Sequence, residues 1–248
     1  MKFRINACTA QHIGDRAEQQ DRVAILSSPL VAGCMLAVLA DGMGGKTGGA
    51  LAAQQMIETA KNLFNEYTPR AMTAEDLLRN IAYEAHTIIK LTAMSSEKEP
   101  HSTMVLLLLR AGRADWAHIG DSRLYHFQGP DLCSRTTDHT FSESMIRDGK
   151  LNAEEARKHR LAGVLTSALG GHKDPEITFG GIDHPSTNDR FLLCSDGVWM
   201  CFNERELGHT IQAYEPRKAS EIIIENARAR AHDKGDNASL IIVRLDPR

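Results

Sequence analysis

The 248-residue sequence predicts an α+β fold, a layered sandwich in which antiparallel sheet is covered by helices. Three observations lead there. Short apolar or β-rich runs recur along the chain, amphipathic helical stripes lie between them, and three of the runs crowd into the stretch from Thr103 to Phe127. Links of a few residues permit hairpins but leave no room for the crossover helices of a parallel sheet. Helix pairs outside such a sheet supply the outer layers.

The runs that read as strands are Phe3 to Ala7, Cys34 to Ala40, Thr103 to Arg110, Ala114 to Ile119, Leu124 to Phe127, Ile177 to Gly180, Phe191 to Cys194 and Leu240 to Leu245. Between the second and third, Ala53, Met56, Ile57, Ala60, Leu63 and Phe64 repeat at helical spacing, as do Leu77, Leu78, Ile81, Ala82, Ala85, Ile88 and Ile89. Such stripes are core-facing. A third helix starts around Pro216, a residue suited to a first turn, and turns Ala219, Ile222, Ile223 and Ala227 inward. The polar segment from Asp138 to Gly171 interrupts the strand pattern, and Asn152 followed by Ala153, Glu154 and Glu155 has the form of a capped helix start. It reads as a flap, spanning about 138–171, inserted in a single domain of residues 1–248.

Composition narrows the function classes. Hydrophobic residues at 42% and charged residues at 25% suit a globular protein with a full core. A formal net charge of -3 gives no bulk attraction to nucleic acid or an anionic membrane. The N-terminal residues lack the apolar region of a secretory signal, and the longest apolar runs are too short to span a bilayer, so the expected location is cytoplasmic. The five cysteines are scattered without a C-x-x-C pair, and the eleven histidines form neither H-x-x-x-H nor H-E-x-x-H. Any metal ion must then be held by oxygen.

The stretch Val38 to Ala50, VLADGMGGKTGGA, admits two incompatible readings. A nucleotide phosphate loop, G-x-x-x-x-G-K-[ST], needs glycine where Ala40 stands. Backbone N–H groups of such a loop converge on an anion, and Asp41 among them would repel it. A metal site, by contrast, uses Asp41. Acids also stand at the edges of three other apolar runs: Asp121 after WAHIG, Asp196 after FLLCS, and Asp236 before NASLIIV. A hard cation such as Mg²⁺ or Mn²⁺ wants oxygen ligands in near-octahedral array, which carboxylates at strand ends beside glycine turns can provide. One Asp-Gly pair is more often a tight turn than a ligand. Four acids so placed form a pattern.

The chain resembles the metal-dependent protein phosphatases, the type 2C serine/threonine phosphatases of the bacterial type. The matching blocks are GDRAEQQD (Gly14 to Asp21), LADGMGG (Leu39 to Gly45), STMV (Ser102 to Val105), HIGDSRLY (His118 to Tyr125), DHTFSE (Asp138 to Glu143), LTSALGG (Leu165 to Gly171), LLCSDGVW (Leu192 to Trp199) and GDNASLIIV (Gly235 to Val243). They run colinearly over nearly the whole chain. The resemblance implies a four-layer αββα sandwich, two central antiparallel sheets flanked by helices, with a two-metal centre in a cleft at one end. Asp41 would bridge two Mn²⁺ or Mg²⁺ ions, Gly42 would lend its carbonyl to one, and Asp196 and Asp236 would hold the other. Gln20 and Asp21 would orient water around them, and Asp121 matches a position that serves a weaker third ion.

Arg16 matches the family's phosphate-binding arginine, whose planar guanidinium can grip two phosphate oxygens at once. Arg123 is expected as a buried partner for a carboxylate. Two cations sharing one water lower its pKa and aim it in line at a phosphoserine or phosphothreonine ester, so no covalent phosphoenzyme is required. The implied partners are phosphorylated proteins and a kinase that marks them, with no nucleic acid or membrane, and the chain is expected to be a monomer. The alternatives are a phosphoprotein-binding pseudophosphatase and, more distantly, a nucleotide triphosphatase. The sequence departs from the family pattern at Met43, where some relatives carry histidine, at Lys46, at Gln20 in place of glutamate, and at His101 in place of glycine. None of these is an expected direct ligand.

Overall fold

A computed structural model describes residues 3–94, 99–232 and 234–247, with the side chains of all but residues 45–47. The strands are β1 (Phe3–His12), β2 (Arg22–Ser27), β3 (Met35–Ala40), β4 (Gly42–Met43), β5 (His101–Ser102), β6 (Met104–Arg110), β7 (Arg113–Ile119), β8 (Arg123–Gln128), β9 (Asp131–Arg135), β10 (Thr178–Asp183), β11 (Asp189–Cys194) and β12 (Ala238–Pro247). The helices are α1 (Gly45–Glu66), α2 (Ala74–Met94), α3 (Phe141–Arg147), α4 (Ala153–Lys158), α5 (Asp196–Trp199), α6 (Glu204–Ala213) and α7 (Pro216–Ala231).

Two five-stranded sheets, ordered β1-β12-β11-β8-β9 and β10-β7-β6-β3-β2, are antiparallel throughout, and β4 pairs with β5 beside them. Antiparallel strands commonly alternate apolar and polar, yet β3 and β6 read as unbroken apolar runs. Both of their faces are covered. Leu36, Val38, Leu106 and Leu108 pack with Met56, Phe64, Leu78 and Ile81 of α1 and α2, whereas Ala37, Leu39, Val105 and Leu107 face the other sheet. On the far side Leu192, Leu240 and Ile242 meet Leu207 and Ile211 of α6 and Ala219 and Ile223 of α7. The order of layers is therefore α1/α2, sheet, sheet, α6/α7, as the resemblance implied.

The helical stripes and the helix beginning at Pro216 form where the spacing puts them, except that α7 buries Ile224 and leaves Ile222 half-buried, as α2 leaves Ile88. Asn152 caps α4 through the N–H groups of Glu154 and Glu155, and the Glu155 side chain accepts from the Asn152 N–H, a complete capping box. The same box at Asn203 and Glu206 opens α6, which periodicity alone did not disclose. Strands β2 and β9 were also missed. Both are edge strands: β9 carries no apolar run, whereas β2 holds the short half-buried run Val23 to Leu26, which the sequence reading left unassigned.

The three crowded strands do not form one meander. β6 and β7 make a hairpin, but the chain then passes through Gly120 to Ser122 into the opposite sheet, where β8 pairs with β11 and β9. Gly120 has φ of +95°, and a Cβ there would lie 2.7 Å from Thr103 Cγ2, so the turn needs glycine. The 138–171 segment carries α3 and α4, is closed on itself by a bridge from Thr140 to Leu165 and is tied back by one from Ser102 to Leu169. Among the described residues no helix is long and apolar enough to cross a membrane.

Candidate metal centre

The ends of β3, β7 and β11 and the starts of β8 and β12 converge on one end of the sandwich, together with the loop joining β1 to β2. This brings together acids far apart in sequence. A cleft of about 550 Å³ is lined by Asp41, Asp121, Asp196 and Asp236, with Gly42, Arg16 and Gln20 beside them. Asp21 lies beneath it, 1% exposed.

Backbone bonds fix the platform. The Asp41 N–H donates to Thr103 Oγ1 at 3.0 Å, its carbonyl accepts from the Thr103 N–H at 2.8 Å, and Thr103 Oγ1 lies 2.8 Å from Ser122 Oγ. Gly42 is hemmed in: a Cβ would lie 2.0 Å from the carbonyl oxygen of Gly49 and 2.8 Å from that of Gln20. The β1–β2 loop is stitched to the start of β12 by Asn237, which accepts from the Gln20 N–H at 2.7 Å and donates to the carbonyls of Ile13 and Glu18. Asp15 accepts from the Gly235 N–H at 2.7 Å.

The carboxylates strain against one another. Burial first, then the charges of Asp21, Asp196, Asp121 and Asp236, push the Asp41 carboxyl well above the usual range. Asp121 is raised to about 7 by burial and by Asp196 and Asp138, and Asp196 to about 6 by burial and Asp236. Burial also lifts Asp21 to about 7, although Ser195 Oγ donates to its Oδ2 at 2.9 Å. Asp21 Oδ1 is buried with no hydrogen-bond partner. A cluster of this kind is short of positive charge, and a cation is what would relieve it.

The donor set is all oxygen, which suits a hard divalent ion. Among the described residues no three His, Cys, Asp or Glu side chains are gathered closely enough to hold an ion as they stand. Like charges spread apart, and Asp236 is ion-paired to Arg16 while its Oδ1 accepts from the Asn237 N–H. The backbone that carries the carboxylates is fixed by the bonds described above. The residues fit a divalent-metal centre.

Arg16 lines the cleft with its side chain 60% exposed and is paired to Asp236. Arg123 meets its expectation: it grips Asp138 through Nε at 2.8 Å and Nη2 at 2.7 Å. Met43 lines the cleft, and the Lys46 side chain lies outside the described residues. Sequence reasoning assigned no role to Ser195, Thr103, Asn237 or Trp199. Their positions inside the quoted blocks were the available sign, and for Ser195, Thr103 and Asn237 a small polar residue beside an apolar strand end needs a partner there.

Residues 8–223 match the family described as Protein phosphatase 2C. The serine/threonine protein phosphatase PstP of Mycobacterium tuberculosis is 30% identical over 218 residues, covering 86% of this chain and 40% of that protein. The chain thus spans well under half the length of that relative. The serine/threonine phosphatase stp of Listeria monocytogenes is 28% identical over 218 residues, 85% of this chain and 84% of the other. The crystal structure of the M. tuberculosis phosphatase superposes with a TM-score of 0.82 at 26% identity over 98% of this chain and 99% of that one. The PstP catalytic domain in complex with two manganese ions superposes at 0.78 and 26%, covering 98% of each chain.

Proposed function

The chain belongs to the protein phosphatase 2C family, and from that premise we propose that it is a Mn²⁺- or Mg²⁺-dependent serine/threonine protein phosphatase that transfers phosphoryl groups directly to water. The observation that carries this reading is the convergence of Asp41, Asp121, Asp196 and Asp236 on one cleft that Arg16 also lines. Two divalent cations held there supply the charge that activates water and draws in the phosphoester.

Asp41, seated by Thr103, the Gly42 carbonyl, Asp196 and Asp236 would hold the ions, with Asp41 shared between them, while Gln20 and Asp21 would orient water around the pair and Asp121 would serve a weaker third ion. Arg16 grips the phosphate: as Asp236 turns inward to a cation it leaves the guanidinium free for phosphate oxygens. The 138–171 segment, whose Leu165 lines the same cleft, is a flap that contacts the protein part of the substrate.

Intact acids at all four positions speak for turnover rather than a pseudophosphatase. Two antiparallel sheets speak against a nucleotide triphosphatase, whose phosphate loop sits in a parallel sheet. The phosphoester substrate requires a protein kinase that makes it. The test is phosphate release from phosphothreonine peptides with Mn²⁺, Mg²⁺ or chelator. Turnover with metal and none with chelator is expected; turnover unaffected by chelator overturns the reading.

A further inference from the structure

The chain has two tryptophans, Trp116 and Trp199. Trp199 lies three residues beyond Asp196 in α5, so its indole and the Asp196 carboxylate leave neighbouring positions on one helical turn. The indole Nε1–H donates to the backbone carbonyl of Asp121 at 2.9 Å. Over the ring face sits the Arg123 guanidinium, with Cζ 3.4 Å from the ring centroid. Arg123 is held in turn by its two bonds to Asp138 and by a 3.1 Å bond from Nη1 to Tyr125 Oη. The Arg123 and Asp138 side chains are 12% and 7% exposed, which favours both the ion pair and the cation–π contact.

Three separate parts of the chain meet in this brace: the turn between the sheets that bears Asp121, the first residue of the 138–171 segment, and the short helix that begins with Asp196. A backbone bond from the Trp199 indole to Asp121 is a direct tie between the two elements carrying cleft carboxylates. The Asp121 turn has other anchors. Its neighbour Gly120 exchanges bonds with His139, and Ser122 bonds Thr103, so the fold does not depend on the indole.

We infer that Trp199 is a positioning residue: with Arg123 clamping its ring, it sets the spacing of the Asp121 and Asp196 carboxylates and thereby the affinity of the cleft for divalent cations. The inference rests on the metal-dependent reading above. It also makes Asp138 the point through which a displacement of the 138–171 segment reaches the metal-binding acids.

Trp199→Phe keeps a ring beneath Arg123 and removes only the N–H donor. Mn²⁺ binding is followed by the electron paramagnetic resonance signal of the free ion, alongside the melting temperature in chelator. The variant is expected to melt within a few degrees of the parent while its weakest Mn²⁺ step loosens by about fivefold to tenfold, the equivalent of one hydrogen bond. Its activity deficit should appear at limiting Mn²⁺ and close at saturating Mn²⁺, with KM for a phosphopeptide unchanged. Arg123→Lys, which keeps the charge but not the planar clamp, should loosen the same step by a smaller factor, and it decides the matter if Trp199→Phe does not fold. Isotherms that superimpose on the parent's overturn the inference, as does equal weakening of every step together with a large fall in melting temperature. A parent chain that binds no Mn²⁺ overturns the phosphatase reading itself, and the role of Trp199 with it.

Discussion

Replacing Asp121 by asparagine should stabilise the metal-free protein. The carboxyl at this position is raised from 3.8 to about 7, by burial and by the charges of Asp196 and Asp138. An acid whose folded pKa exceeds its unfolded value weakens the fold as pH climbs between the two, because the unfolded chain releases its proton first. Roughly three units at about 1.36 kcal/mol each give an upper bound of about 4 kcal/mol above pH 7. Allowing about half of that for relaxation and water entry leaves about 2 kcal/mol. A domain of this size would then melt roughly 4–8 °C higher. The assay is a melting curve in chelator for parent and Asp121→Asn at pH 8 and again near pH 4. The gain should be present at pH 8, shrink towards pH 4, and reverse with saturating Mn²⁺ as the parent gains more from the ion. A lower metal-free melting temperature at pH 8, or a gain that ignores pH, would refute the reasoning.

Arg16→Ala should lower kcat/KM for a phosphopeptide by roughly 10- to 100-fold, the worth of a charge-assisted hydrogen bond, and steady-state kinetics showing a normal value would contradict the phosphate grip. Exchanging residues 152–159 of the flap segment for an unrelated helix should change the ranking of phosphopeptides more than hydrolysis of a small aryl phosphate, and equal losses on both would count against a recognition role. His139, pushed down to about 3 by burial and by His118, accepts from the Gly120 N–H and stacks on His118 at 4.5 Å. Between about pH 6.5 and pH 3 the unfolded chain takes up the proton and the fold does not, so stability falls with falling pH across that window. A histidine nuclear magnetic resonance titration should find His139 neutral at pH 5; a midpoint near 6.5 would contradict its buried, accepting role.

The layers were legible because both faces of the central strands are covered, which writes them as unbroken apolar runs such as Met35 to Ala40. Edge strand β9 lacks that imprint and β2 carries it only over the four residues Val23 to Leu26, and a hairpin could not be told from a change of sheet at Gly120 to Ser122, where only long-range pairing decides. The acids of the cleft were legible for a related reason: an acid directly after a buried run must lie at a strand end, since a charge within the run would be buried unpaired. What supports those acids was not. Ser195 beneath Asp21, Thr103 behind Asp41 and Trp199 on Asp121 join residues 174, 62 and 78 positions apart, and no local pattern encodes such pairs.

Crystals grown with excess manganese and measured at the manganese absorption edge put the central claim to its most direct test. The account predicts anomalous peaks on both sides of the Asp41 carboxylate, within coordination distance of Asp196 and Asp236, with Asp236 released from Arg16. A well-ordered cleft with Asp236 still on Arg16 and no peak beside Asp41 would contradict it.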